Sequence, residues 1–143
     1  HIVQTLIMLT QLPFPKHLRE VPEIAAGHHE KMDGTGYPRR LTREQMSVPA
    51  RVMGIADVFE AMTAKDRQYK KGMSLTQSLK ILGRMRLENH VDPDLFEVFL
   101  RERVYREYAE RFLDAYQIDK IDWNEIPGVS PELAAHLTAT EQP

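Results

Sequence analysis

Apolar residues along this chain recur every three or four positions, and nowhere is there a convincing alternation at two. That period belongs to helices packed by one face. Ile2, Val3, Leu6, Ile7 and Leu9 open the pattern, which stops at Leu12-Pro13-Phe14-Pro15, where two prolines break a helix. Leu18, Val21, Ile24 and Ala25 mark a second helix over about 17–30, with the pair His28-His29 at its end. Residues 31–48 lose the period and read as a loop, inside which Thr42-Arg43-Glu44-Gln45 has the spacing of a capping box for one short turn. Pro49 suits the first turn of a third helix reaching Ala64, with Val52, Ile55, Ala56, Phe59 and Met62 as its stripe. Ser74-Leu75-Thr76-Gln77 is a second capping box, opening a helix that aligns Leu75, Leu79, Leu82 and Met85. Asp92-Pro93 starts the next, carrying Leu95, Phe96, Phe99 and Leu100 towards Val104, Tyr108 and Phe112, with a break near 101–103. A polar stretch follows, and Ser130-Pro131 starts a last short helix. The expectation is an all-α helical bundle.

The apolar pattern is already running at His1, with no initiator Met and no capping residue ahead of it. Upstream sequence is therefore expected, and the bundle reads as truncated on its N-terminal side. A chain of 143 residues is one domain or part of one. At that size roughly 70% of the unfolded surface is buried, enough for a real core. The hydrophobic and charged fractions, 42% and 28%, are those of a soluble globular chain. A net charge of −2 gives no basic field for duplex nucleic acid. The absence of cysteine removes disulfides and thiolate ligands and fits a reducing compartment. No apolar run approaches the ~20 residues of a membrane span, and no secretory leader is read, so a cytoplasmic setting is expected.

The candidate chemistry begins in residues 28–38, His28-His29-Glu30-Lys31-Met32-Asp33-Gly34-Thr35-Gly36-Tyr37-Pro38. Neutral imidazole is the commonest metal ligand. Neighbouring helical positions point about 100° apart, so two adjacent rings serve two metals, or one metal and its substrate, better than they chelate one ion. Gly34 and Gly36 allow close backbone approach beside them. Asp57, inside Gly54-Ile55-Ala56-Asp57-Val58-Phe59, has apolar neighbours on both sides and is expected to be partly buried, which requires a partner. Alone it reads as a helix-bridging residue. Beside imidazoles, and without thiolates, it suits iron, manganese or zinc in a hydrolytic site. His90 reads as packing or capping, His17 and His136 as surface, and Lys31, Arg39 and Arg40 as a solvated loop. Asp33 is placed to support a ligand histidine by hydrogen bonding. Met46, Met53 and Met62 read as core filler, Tyr105, Tyr108 and Tyr116 as structural, and Trp123 as an anchor for the tail or a partner contact.

Several blocks occur in order: His28-His29 leading into Gly36-Tyr37-Pro38, then Ala56-Asp57-Val58-Phe59-Glu60-Ala61-Met62-Thr63, Asp66-Arg67-Gln68-Tyr69-Lys70, and His90-Val91-Asp92-Pro93-Asp94-Leu95-Phe96. Together they resemble the HD-GYP family of bacterial phosphohydrolases over most of residues 1–115, leaving 116–143 as a C-terminal extension. The resemblance implies an HD-type helical fold and two or three divalent metals, iron or manganese by preference and zinc as an alternative. It also implies metal-assisted hydrolysis of the cyclic dinucleotide cyclic di-GMP to pGpG, and in some members to GMP. Position by position, it assigns metal binding to His1, His28, His29 and Asp57, and phosphate contacts to Arg67 and Lys70. Gly36, Tyr37 and Pro38 come beside the substrate, where Tyr37 stacks on a guanine or bonds a phosphate oxygen. Arginine forks onto phosphate, whereas lysine acts as a point charge.

The chain departs from the pattern in one important respect: none of its histidines is followed by Asp, whereas the family's His-Asp pair, with a Lys shortly after, bridges the metals. Four candidate ligands are too few for two metals. The expectation is thus a partial metal site and little or no turnover by the chain alone. Gln68 replaces a usual Pro in the turn presenting Arg67 and Lys70. Two other readings stand beside the enzyme: a module docking GGDEF-type domains through the Gly36-Tyr37-Pro38 loop, and a purely structural piece that forms a homodimer.

Overall fold

A computed structural model describes residues 7–8, 11–27, 29–64 and 71–141. Among these residues there are six α-helices and no strand; one isolated antiparallel bridge, Asp33 to Thr42, spans the long loop. The helices are α1 (Val21–Gly27), α2 (Val48–Thr63), α3 (Leu75–Leu87), α4 (Pro93–Arg101), α5 (Val104–Phe112) and α6 (Pro131–Glu141). None is long and apolar enough to cross a membrane. Of the stretch expected as the first helix, residues 7, 8 and 11 are described, and all three are helical.

Local signals explain most boundaries. Ser74 Oγ accepts from Gln77 N at 3.2 Å while Gln77 Oε1 accepts from Ser74 N at 3.4 Å, the reciprocal box that opens α3. Thr42 N donates to Gln45 Oε1 at 2.9 Å over the single turn Arg43–Gln45. Pro93 stands at the start of α4, and the break before α5 is made by Arg103, which takes a left-handed conformation with φ 54. The second helix is shorter than the sequence suggests. Pro22 lacks an N–H and is tolerated only in a first turn, so α1 starts at Val21 and Lys16–Leu18 forms a separate 3-10 turn. Gly27 ends α1, and His29 therefore lies beyond the helix.

The main core runs through α2–α6 and through the C-terminal extension alike. Leu75, Leu79, Leu82, Phe96 and Leu100 pack with Trp123, Leu133 and Leu137 in one cluster. An edge-to-face series joins Phe59 to Phe99 (5.2 Å), Phe99 to Tyr105 (6.3 Å) and Tyr105 to Trp123 (5.3 Å). Trp123 is thus a core residue rather than a partner contact. Met53, read as core filler, is exposed, because it lies on the side of α2 away from Ile55 and Phe59. Tyr116 is exposed as well, with its hydroxyl donating to Gly72 O at 3.3 Å.

A smaller cluster of Met32, Met46 and Ala50, with Leu41 against it, lies under the 31–47 loop. Asp92 fastens that loop to the rest of the bundle. Its Oδ2 accepts from Arg43 Nε at 2.7 Å and from Arg51 Nη1 at 2.6 Å, and its Oδ1 caps α4 by accepting from Asp94 N and Leu95 N.

Candidate functional site

His29 and Glu30 follow α1 beyond a point of close helix contact. A Cβ on Gly27 would stand 3.0 Å from the Ala50 Cβ, so α1 and α2 touch there. Glu23 Oε1 accepts from Ser47 N at 3.4 Å. Ala50 and Asp57 are seven residues apart, 20° short of two full turns. Asp57 therefore faces the same side as Ala50, about 10 Å further along the axis. α1 covers Ala50 at Gly27, whereas the turn bearing Asp57 is exposed.

That accounts for a correction. Asp57 is exposed, not partly buried as its apolar sequence neighbours suggest. Ile55 and Phe59, two positions before and after it, point into the core and turn Asp57 outward. Asp57 is among the residues lining an apolar concavity of about 340 Å³ formed with Met53, Glu60, Phe99 and Tyr108.

The 31–41 loop folds back on the histidine run. Tyr37 N donates to His29 O at 3.2 Å, and the Tyr37 and His29 rings stack with centroids 4.9 Å apart and planes 13° apart. The Tyr37–Pro38 peptide is cis, and Gly34 has φ 82, a left-handed conformation that glycine adopts without strain. Gly36 is buried against its own loop: a Cβ there would stand 2.5 Å from Lys31 N, 2.6 Å from His29 O and 2.7 Å from Glu30 Cα, all backbone atoms. Asp33 Oδ1 accepts from Thr35 Oγ1 at 2.6 Å and from Thr35 N at 2.9 Å, and these bonds hold its carboxyl below the usual carboxylate range. His90 is half-buried near Lys31; burial first, and the lysine charge second, push its imidazole below the ordinary value.

The structure thus brings Gly36 and Tyr37 against His29 and leaves Asp57 exposed on α2. His1, His28, Arg67 and Lys70 lie outside the described residues. Among the described residues no group of three or more His, Asp or Glu side chains is gathered as a metal site. Of the four assigned ligands, His29 and Asp57 are described, and their donor chemistry, imidazole and carboxylate oxygen, fits a borderline or hard divalent ion.

Residues that the pattern did not single out hold the site in place. Glu30 is buried and binds the far limb of the loop, and Arg43 and Arg51 hold Asp92. Gln117 Nε2 donates to Thr63 O at 2.8 Å and Met73 O at 3.0 Å, tying those two backbone positions together. None of these contacts has a periodic signature, since each joins residues far apart in sequence.

Comparison with known proteins agrees with this frame. A family profile described as HD domain matches residues 1–95. The chain is similar to a cyclic di-GMP phosphodiesterase of Pseudomonas aeruginosa, 38% identical over 57% of this chain and 19% of that protein. It is similar to a probable cyclic di-GMP phosphodiesterase of Vibrio cholerae, 40% identical over 64% of this chain and 21% of that protein. A 3'3'-cGAMP-specific phosphodiesterase of Vibrio cholerae is 40% identical over 57% of this chain and 19% of its own length. The chain spans about a fifth of the length of the curated relatives it matches. By its all-helical architecture and this match over two thirds of its residues, the chain belongs to the HD domain family, and it resembles the HD-GYP cyclic di-GMP phosphodiesterases over part of their length.

Proposed function

We propose that this chain carries part of the metal site of a phosphodiesterase acting on cyclic dinucleotides, cyclic di-GMP foremost. Asp57, exposed on the Ala50 face of α2, the helix that touches the end of α1 at Gly27, is the observation that carries the reading. His1, His28, His29 and Asp57 would hold divalent ions, iron or manganese by preference. Such ions, when bound, neutralise charge developing on a phosphoryl group. The chain's own residues do the rest. Gly36 brings the loop backbone close, and Tyr37 offers the ring face turned away from His29 to a flat base. Arg67 and Lys70 supply cations for the phosphate. Four ligands do not complete a two-metal site, so further ligands from outside these 143 residues are part of the proposal.

The test is Mn²⁺ titration of the chain together with a cyclic di-GMP hydrolysis assay. Binding should vanish in His29→Ala and in Asp57→Asn, and turnover to pGpG should be weak or absent in the chain but present in a protein that includes the missing ligands. Mn²⁺ binding untouched by both substitutions overturns the assignment. A second reading, docking of a GGDEF-type domain on the loop, is favoured by the exposure of Tyr37, 54% even with His29 stacked on one face. Loss of that binding in Tyr37→Ala, without loss of Mn²⁺, would select it.

A further inference from the structure

Glu30 is the third residue of the His28-His29-Glu30 run, and nothing above gives it a part in the chemistry. It is only 3% exposed. A buried carboxylate must have its oxygens satisfied. Here both are satisfied from a distance: Oε1 accepts from Arg39 N at 2.7 Å and Oε2 from Leu41 N at 2.9 Å. Both donors are backbone amides. The bonds therefore fix the path of the chain, whatever side chains stand at 39 and 41. They draw residues 39–41 back onto residues 29–31, with Gly36 wedged against the backbone of His29, Glu30 and Lys31. Tyr37 is delivered by this closure, its N–H on His29 O and its ring flat against the imidazole.

Rotation about χ2 of a histidine is soft, with no sharp staggered well to hold the ring plane. An aromatic ring lying parallel at 4.9 Å adds a restraint on that plane. A ligand imidazole works best when its plane is set before the ion arrives, and groups that orient a ligand matter for affinity almost as much as the ligand itself. We infer that Glu30 and Tyr37 are positioning residues for His29: Glu30 closes the loop, and the closed loop holds Tyr37 where it fixes the imidazole plane. The purpose of this device rests on the reading of His29 as a metal ligand; the geometry does not.

The test uses histidine-labelled chain, first without metal. Stacking on Tyr37 displaces the His29 ring resonances upfield, a signature that loss of stability alone does not remove from a folded protein. Trp123, the single tryptophan, lies in the core and reports folding through its emission. Tyr37→Phe should keep the displacement; Tyr37→Leu and Glu30→Gln should abolish it with Trp123 emission unchanged. Mn²⁺ affinity should fall roughly 10–100-fold in the latter two and return in Tyr37→Phe. If Glu30→Gln does not fold, the Tyr37 pair together with Glu30→Asp, which shortens the reach to Arg39 N and Leu41 N, decides the matter.

A His29 displacement indifferent to every folded Glu30 variant overturns the inference. So does an unchanged Mn²⁺ affinity in Tyr37→Leu once the displacement is gone. Failure of the metal reading looks different. The wild-type chain then binds no Mn²⁺, or binds it equally after His29→Ala, while the displacement still follows Glu30 and Tyr37. That result removes the ligand role and leaves the linkage of the three residues standing.

Discussion

Asp92 is fully buried and accepts from two guanidinium groups and two backbone amides, so one carboxylate both caps α4 and ties down the loop and α2. Burial works to raise its pKa, but the hydrogen bonds from Arg43 and Arg51 outweigh it, and the carboxyl is held below its ordinary value. A folded-state pKa below the unfolded one stabilises the protein above the unfolded value, about 3.9 for Asp, and that contribution is lost as pH falls through the lower folded value. Asp92→Asn should cost about 3 kcal/mol in urea denaturation near neutral pH, since it takes the carboxylate charge from the mostly buried Arg51 and from Arg43 Nε, although Arg43 keeps Asp94 at 2.7 Å. The gap to wild type should narrow as the pH is lowered below about 4. Asp57 is the contrasting case. It is exposed, so Asp57→Asn should change stability by no more than about 0.5 kcal/mol while removing Mn²⁺ binding. A large stability loss in that variant would mean a structural role in place of a ligand role.

The helices divide into those that a local signal defines and those that tertiary contact trims. Ser74 and Gln77 define the start of α3 within four residues, and Ser74→Ala should cost about 1 kcal/mol by thermal melting. Asp92-Pro93 and the interruption near 101–103 were legible for the same reason: capping and helix-breaking act over a few residues. The pairing of His29 with a Gly-rich loop was legible as a motif. What the motif could not show is how the loop closes, because Glu30 reaches Arg39 and Leu41 through backbone amides that any sequence would supply. The exposure of Asp57 was misjudged because adjacent residues in a helix face different ways, and the burial of Ile55 and Phe59 in the core turns Asp57 outward. Gln117 was invisible for a further reason: its value lies in two carbonyls, Thr63 O and Met73 O, that stand 54 and 44 residues away from it along the chain. Gln117→Leu should cost about 2–3 kcal/mol by taking the Nε2 donor from both carbonyls, and a melt unchanged from wild type would refute that.

At the scale of the molecule, the C-terminal extension is inseparable from the bundle. Glu141, at the end of α6, accepts from Tyr105 Oη at 2.7 Å, Arg106 Nη2 at 2.8 Å and Trp123 Nε1 at 3.2 Å. Burial opposes its ionisation, but the bonds from Arg106 and Tyr105 prevail and keep its carboxyl below the ordinary glutamate value. Glu141→Ala should lower Tm by roughly 4–8 °C and move Trp123 emission to the red as solvent reaches the indole. The family profile stops at residue 95, inside α4, yet Ile121, Trp123, Leu133 and Leu137 fill the same interior as Leu79 and Phe96. Anyone transplanting this unit into a chimera, or trimming it for crystallisation, should therefore place the cut after Glu141. A piece ended at the profile's edge would present a half-built interior to its neighbours and clump.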